Sequence, residues 1–358
     1  MRGKQVKNML ASTENLQSQE NLSGCRISEN IFFGEIPAVV IENDRLRLTI
    51  LEGRGADVVQ CLYKPTALDL VWLTQWGIPT TLVPDDYPAN VDSFLNGYPG
   101  GWQSIFPNGG APSSVNGIDF AQHDEVALLS WRHEILHDSE EMCEVRFSVE
   151  TRKTQFRVSK TFRLRKGETK CVVTEEIENL SDDNQRAMWG FHISFGAPFV
   201  DQNTTIRLPN NVTVIPHDAA IASTGRRLDR VENFTWPVFT KQNGENVDFS
   251  ALPAKGTESE MLYLHGFDDG WYQIENWTNN LAMKVSWDLE LMPYLWYWQE
   301  YGSSQDYPWF GKHYNIGLEP FSSFPTNGLA QAIENGTALT FHPREKKASV
   351  IEIEVMKI

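Results

Sequence analysis

Two short apolar stretches carry side chains that could move protons. In "GFHISFG" (Gly190–Gly196) a histidine sits among aromatic and small residues, and in "NIGLEPFSS" (Asn315–Ser323) a glutamate interrupts an apolar run just before a proline. A carboxylate is costly to bury unpaired, so Glu319 needs a partner or a purpose. Desolvation there would raise its pKa toward the range of a general base. His192 has two readings when taken alone. It is a core imidazole satisfied by a backbone carbonyl, or an acid or base held in a water-poor pocket. A further histidine, His123 in "FAQHDEVALLSWRHE" (Phe120–Glu134), stands just before what reads as an alternating strand.

Aromatic-rich loops surround these residues in the sequence. "GYPGGWQSIFPNGGAP" (Gly97–Pro112) sets Trp102 and Phe106 beside Gln103 and Asn108, and Trp296, Trp298 and Trp309 cluster ahead of Glu319. A single tryptophan in a β protein is more often core than ligand platform. Flat rings interleaved with amides and carboxylates nevertheless suit a sugar, whose C–H faces stack and whose hydroxyls need planar polar partners. With 12 Trp and no metal or phosphate motif, the chain fits a neutral carbohydrate better than a nucleotide. The 47 acidic against 31 basic residues, a net charge of -16, argue against nucleic acid and against an anionic membrane as partners. The four cysteines (Cys25, Cys61, Cys143, Cys171) show no metal or redox spacing, and no apolar run is long enough for a signal or a membrane span. A cytoplasmic protein with reduced thiols, acting as a monomer or homodimer, is the expectation.

Strands must position these groups, because helical periodicity is scarce. Residues 1–30 are polar and read as a flexible tail, and 31–358 as a single domain. "RLRLTIL" (Arg45–Leu51), "EVRFSVET" (Glu144–Thr151), "FRVSKTFRLR" (Phe156–Arg165) and "TKCVVTEEIEN" (Thr169–Asn179) alternate apolar and polar residues, the last two joined as a hairpin by "KGET". "GLAQAIENG" (Gly328–Gly336) offers one short helix. The pattern predicts an all-β domain of two sheets stacked face to face, with long loops at one edge.

Taken together, these segments resemble the aldose 1-epimerase (galactose mutarotase-like) superfamily over roughly Ile31 to the C-terminus. "GGWQSIFPNGG" is similar to the family's glycine-rich first loop. "HDEVALLSW" and "WGFHISFG" are similar to its two histidine segments, which makes His123 and His192 the family histidines. "GLEPFSS" resembles the segment of the catalytic glutamate, which lands on Glu319. The resemblance implies a β-supersandwich of stacked antiparallel sheets, no metal or organic cofactor, and interconversion of sugar anomers. In that scheme Glu319 takes the C1 hydroxyl proton, protonated His192 donates to the ring oxygen, and His123 helps hold the charge on that oxygen. Trp102, Gln103, Asn108, Trp298 and Glu300 are the expected sugar contacts. Two departures stand out: Asp124 follows His123 where the family has glycine, and the arginine usual soon after it is missing, with Arg54 as a possible substitute. Asp124 could raise the His123 pKa or narrow the pocket. Two other functions fit the same residues: a sugar-binding or sensing protein without turnover, or a hydrolase or lyase using a second carboxylate, Glu300 or Asp306, both of which read as solvated loop residues.

Overall fold

The computed structural model describes residues 24–358; the greater part of the expected tail lies outside the described residues. The chain starts its first strand, Arg26–Phe33, inside that tail, pairing it antiparallel with Ile36–Glu42. The architecture is almost entirely β. A twelve-stranded sheet and an eight-stranded sheet carry most of the chain, with three small two-stranded ribbons. The large sheet runs from Arg26–Phe33 through Trp102–Ile105, Gly190–Gly196, Asn315–Phe321 and Tyr294–Glu300 to Glu260–His265 and beyond. One core cluster takes Val58, Trp102, Phe191 and Leu318 from it, and Val145, Phe162, Val173 and Ile353 from the other sheet, so the two lie face to face.

The alternating segments form strands as expected, at Leu46–Leu51, Met142–Glu150, Phe156–Arg165 and Lys170–Asn179. The last two pair through the Lys166–Thr169 turn, and Leu329–Glu334 is the short helix. "HDEVALLSW" departs from expectation. Gln122–Leu128 is a buried string of turns, and the strand begins only at Arg132. Its backbone is claimed by the glycine-rich loop, with Glu125 and Val126 N–H both donating to the Phe106 carbonyl and Asn108 N–H to that of Asp124.

The strands in the middle of the large sheet are buried on both faces. Side chains on a strand alternate between faces. Phe191, Ile193, Ile316, Leu318, Leu295 and Tyr297 therefore point into the inter-sheet core, while His192, Glu319, Trp296 and Trp298 share the opposite face. The Trp102 side chain falls on the core face, opposite Ile193, and donates Nε1–H to the Ser194 carbonyl at 3.1 Å. It is core, not a sugar platform. Trp102→Ala is expected to lower unfolding stability by about 3–5 kcal/mol in urea titration, as other large-to-small core changes do.

Candidate active site

Register brings the three expected catalytic residues together. Trp296 lies opposite Glu319, Trp298 opposite Gly317 and Glu300 opposite Asn315. On the other side Gly190 pairs with Phe321 and Ser194 with Gly317, which places His192 beside Glu319. His192 Nε2 is 3.6 Å from Glu319 Oε1. His123 reaches the same place from its buried turn, where its φ of 52° is in the left-handed region, and its ring lies 5.3 Å from that of His192. All three line one cavity of about 340 Å³, a size within the range of small-molecule sites.

Aromatic rings hold the imidazoles. Phe94, on the short helix Asp92–Leu95, packs on His123 with ring centroids 4.8 Å apart, and Tyr98 packs edge-on to His192 at 5.6 Å. Trp298 lies 5.9 Å from His192 and 5.2 Å from Trp309. Trp296 stacks flat on Phe321 at 3.6 Å, walling off the far side. Gly317 is the residue that lets the carboxylate in. A Cβ there would collide with Glu319 Oε1 and lie 3.4 Å from Trp298 Cε3, so the glutamate folds over a position that must be bare.

Burial governs the electrostatics. Desolvation raises Glu319 well above the usual carboxylate range. The same cause pushes His192 down to about 4, and His123 well below its ordinary value, with the neighbouring His192 adding to the effect. Burial thus favours the protonated carboxyl of Glu319 and the neutral imidazoles of His192 and His123, so a protonated His192 requires something to offset that desolvation. The His123 tautomer is set by Gly110 N–H, which donates to Nδ1 at 3.2 Å, so its own proton is on Nε2. Asp124 does not raise the His123 pKa. Its carboxylate is turned away, accepting from Tyr87 OH, Ala121 N–H and Lys153 Nζ.

The expected sugar contacts divide. Trp298 and Glu300 line the cavity. Glu300 is 1% exposed at the end of a strand, and so is not a solvated loop residue. Asp306 is an exposed rim residue held by Ser223 Oγ. Asn108 is a structural post: Nδ2 donates to the Ala111 and Ala121 carbonyls, and Oδ1 accepts from Leu329 N–H. Gln103 shares the His192 face but turns to the Gly100 carbonyl and to Asp57. Arg54 is buried behind the Phe94 helix, 3.6 Å from Asp57 and donating to the Phe94 carbonyl, so it supports the cavity wall without lining the cavity. Tyr98, Phe94, Met261, Ser304 and Trp309 are among the other residues of the lining. Of these only Trp309 stood out in the sequence, through its place in the tryptophan cluster.

Two measurements test this geometry. Below the ordinary carboxylate pKa, Glu319 is protonated in folded and unfolded chains alike. Above it only the unfolded chain ionises, so stability is lost as pH rises toward the raised folded value. The Glu319→Gln protein, which cannot ionise, should gain in Tm over wild type by about 2 °C or more between pH 5 and pH 8. The two histidines act with the opposite sign, their neutral burial costing stability as pH falls from about 6.5 toward 4. Gly317→Ala should leave a folded protein whose pH-dependent Tm loses the Glu319 component, because the carboxylate is displaced from its buried place.

Residues 35–355 match the family model described as "Domain of unknown function (DUF4432)". No curated protein matches the chain. Among solved structures, a candidate aldose 1-epimerase from Klebsiella pneumoniae superposes with a TM-score of 0.68 at 13% identity, over 90% of this chain and 80% of that one. A galactose mutarotase-like protein from Clostridium acetobutylicum gives 0.62 at 15% identity, over 94% of this chain and 99% of that one. A candidate aldose 1-epimerase from Escherichia coli K12 gives 0.58 at 14% identity, over 94% and 100%. Identities this low speak to architecture alone. The chain belongs to the DUF4432 family and has the galactose mutarotase-like β-supersandwich fold.

Proposed function

We propose that this protein is an aldose 1-epimerase-type enzyme that interconverts the anomers of a hexose or hexose derivative by acid–base ring opening. The observation that carries the reading is the convergence of Glu319, His192 and His123 on one aromatic-walled cavity, with the carboxylate 3.6 Å from an imidazole nitrogen.

Opening the ring requires one group to take the O1 proton and another to give a proton to O5. The neutral pair, Glu319–H with His192, holds the same number of protons as the ion pair of Glu319 carboxylate with His192 imidazolium. A sugar whose hydroxyls donate to the carboxylate favours the ion pair, so the working state is reached without exchanging a proton with solvent. Glu319 then accepts from O1, His192 donates to O5, and the C1–O5 bond breaks. Rotation about C1–C2 presents the other aldehyde face, and reclosure reverses both transfers. His123, with its proton on Nε2, is a hydrogen-bond donor to the oxygen that gains charge. General acid and base contributions of this kind are worth about 10²–10⁴-fold each.

Saturation-transfer NMR on glucose and galactose tests the reading. Wild-type protein should transfer saturation between anomers, and Glu319→Gln should slow exchange by about 10²-fold or more. Sugar line broadening with no exchange would identify a binding protein instead.

A further inference from the structure

The cavity contains a second carboxylate for which ring opening has no use. Among the described residues that line it there is no Lys or Arg, so nothing there neutralises Glu300. Its Oε1 accepts from Gly302 N–H at 2.9 Å and distantly from Ser304 N–H at 3.4 Å. Its Oε2 accepts from Ser259 Oγ at 2.7 Å and from the Ser304 hydroxyl. These four contacts fill the carboxylate's roughly four acceptor sites, and the 3.4 Å Ser304 N–H contact is the weakest, so it is the one a ligand hydroxyl would displace from Oε1. Ser304, which also lines the cavity, gives its proton to Glu300 and so offers only lone pairs to a ligand. Beside them, opposite Glu300 in the register, Asn315 is completely buried, and neither amide atom has a partner among the described residues. Asn315 lies behind the cavity lining and does not reach into it, so it adds no contact for a ligand.

The register also gives the spacing. Trp298 stands between Trp296, the partner of Glu319, and Glu300. Because Glu319 Oε1 folds over Gly317, directly opposite Trp298, only one further two-residue step separates it from the Glu300 rung. Two strand residues span roughly 7 Å, about the width of one pyranose ring lying over Trp298.

We infer that Glu300, assisted by Ser304, is the specificity-determining residue for the edge of the sugar remote from the anomeric carbon, the C3–C4 edge of a pyranose. It selects aldoses that present hydroxyl or amino donors there, and rejects those that are deoxygenated or anionic at that edge. The assignment rests on the epimerase reading, which orients the sugar.

Anomer exchange of glucose and galactose is compared with that of their 3-deoxy, 4-deoxy and 4-O-sulfo analogues. A site built to bond a hydroxyl discriminates strongly against its absence, so wild-type kcat/KM should fall by about 10²-fold or more for at least one deoxy analogue, and further for the sulfate. In Glu300→Gln the parent sugar should lose most of that advantage, bringing parent and deoxy analogue within about 10-fold of each other, with the loss chiefly in KM. Parent and deoxy sugars exchanging alike in wild type would overturn the subsite while leaving the epimerase reading intact. That comparison needs no variant, and so decides the matter even if Glu300→Gln fails to fold. A wild-type protein that exchanges no aldose would overturn both.

Discussion

The site depends on burying a carboxylate and two imidazoles with no Lys or Arg among the described residues that line the cavity. Taking an ionised carboxylate out of water is among the most expensive things a fold can do, and here the cost is met by keeping the group neutral. Burial raises the Glu319 pKa and lowers those of His192 and His123, so the uncharged form of each is favoured. Much of the surrounding structure keeps water out of the site. Trp296 is stacked on Phe321 behind the glutamate, Phe94 and Tyr98 cover the histidines, and Arg54 and Asp57 sit beneath the helix that carries Phe94.

That arrangement is available because a sheet has two faces. The strands Gly190–Gly196 and Asn315–Phe321 spend one face on the inter-sheet core and the other on the cavity. Each position follows from parity. Moving the register by one residue would exchange His192 for Phe191 and Glu319 for Leu318, destroying core and site together. Gly317 shows how tightly the two are joined. It is a bare position on the cavity face, needed because the Glu319 carboxylate lies across it.

The same three-strand frame serves the reacting end of the cavity and the Glu300 end. Their carboxylates play different physical parts. Among the described residues no group donates a hydrogen bond to Glu319, whose Oε1 stands 3.6 Å from the facing imidazole, which leaves it free to exchange a proton. Glu300 is gripped by serine hydroxyls and backbone N–H groups, a setting suited to holding a ligand rather than to transferring protons.

The sequence by itself determined a good deal. Period-two alternation identified the strands Met142–Glu150, Phe156–Arg165 and Lys170–Asn179 because most of their outward residues are polar. The cost of burying Glu319 in an apolar run marked it as needing a partner or a purpose, while His192 taken alone stayed open between a core imidazole and an acid or base. Tertiary structure decided the rest. Residues in doubly buried strands look uniformly apolar, so whether Trp102 or Trp298 faced the cavity could not be read from composition; pairing register settled it. Asn108, Gln103 and Arg54 have the chemistry of sugar ligands, but backbone carbonyls, Asp57 and a helix end take up their hydrogen bonds, and those partners lie up to 221 residues away in the chain. Protonation was likewise a tertiary matter, because a histidine's pKa follows from how deeply the fold buries it, and no local motif records that depth.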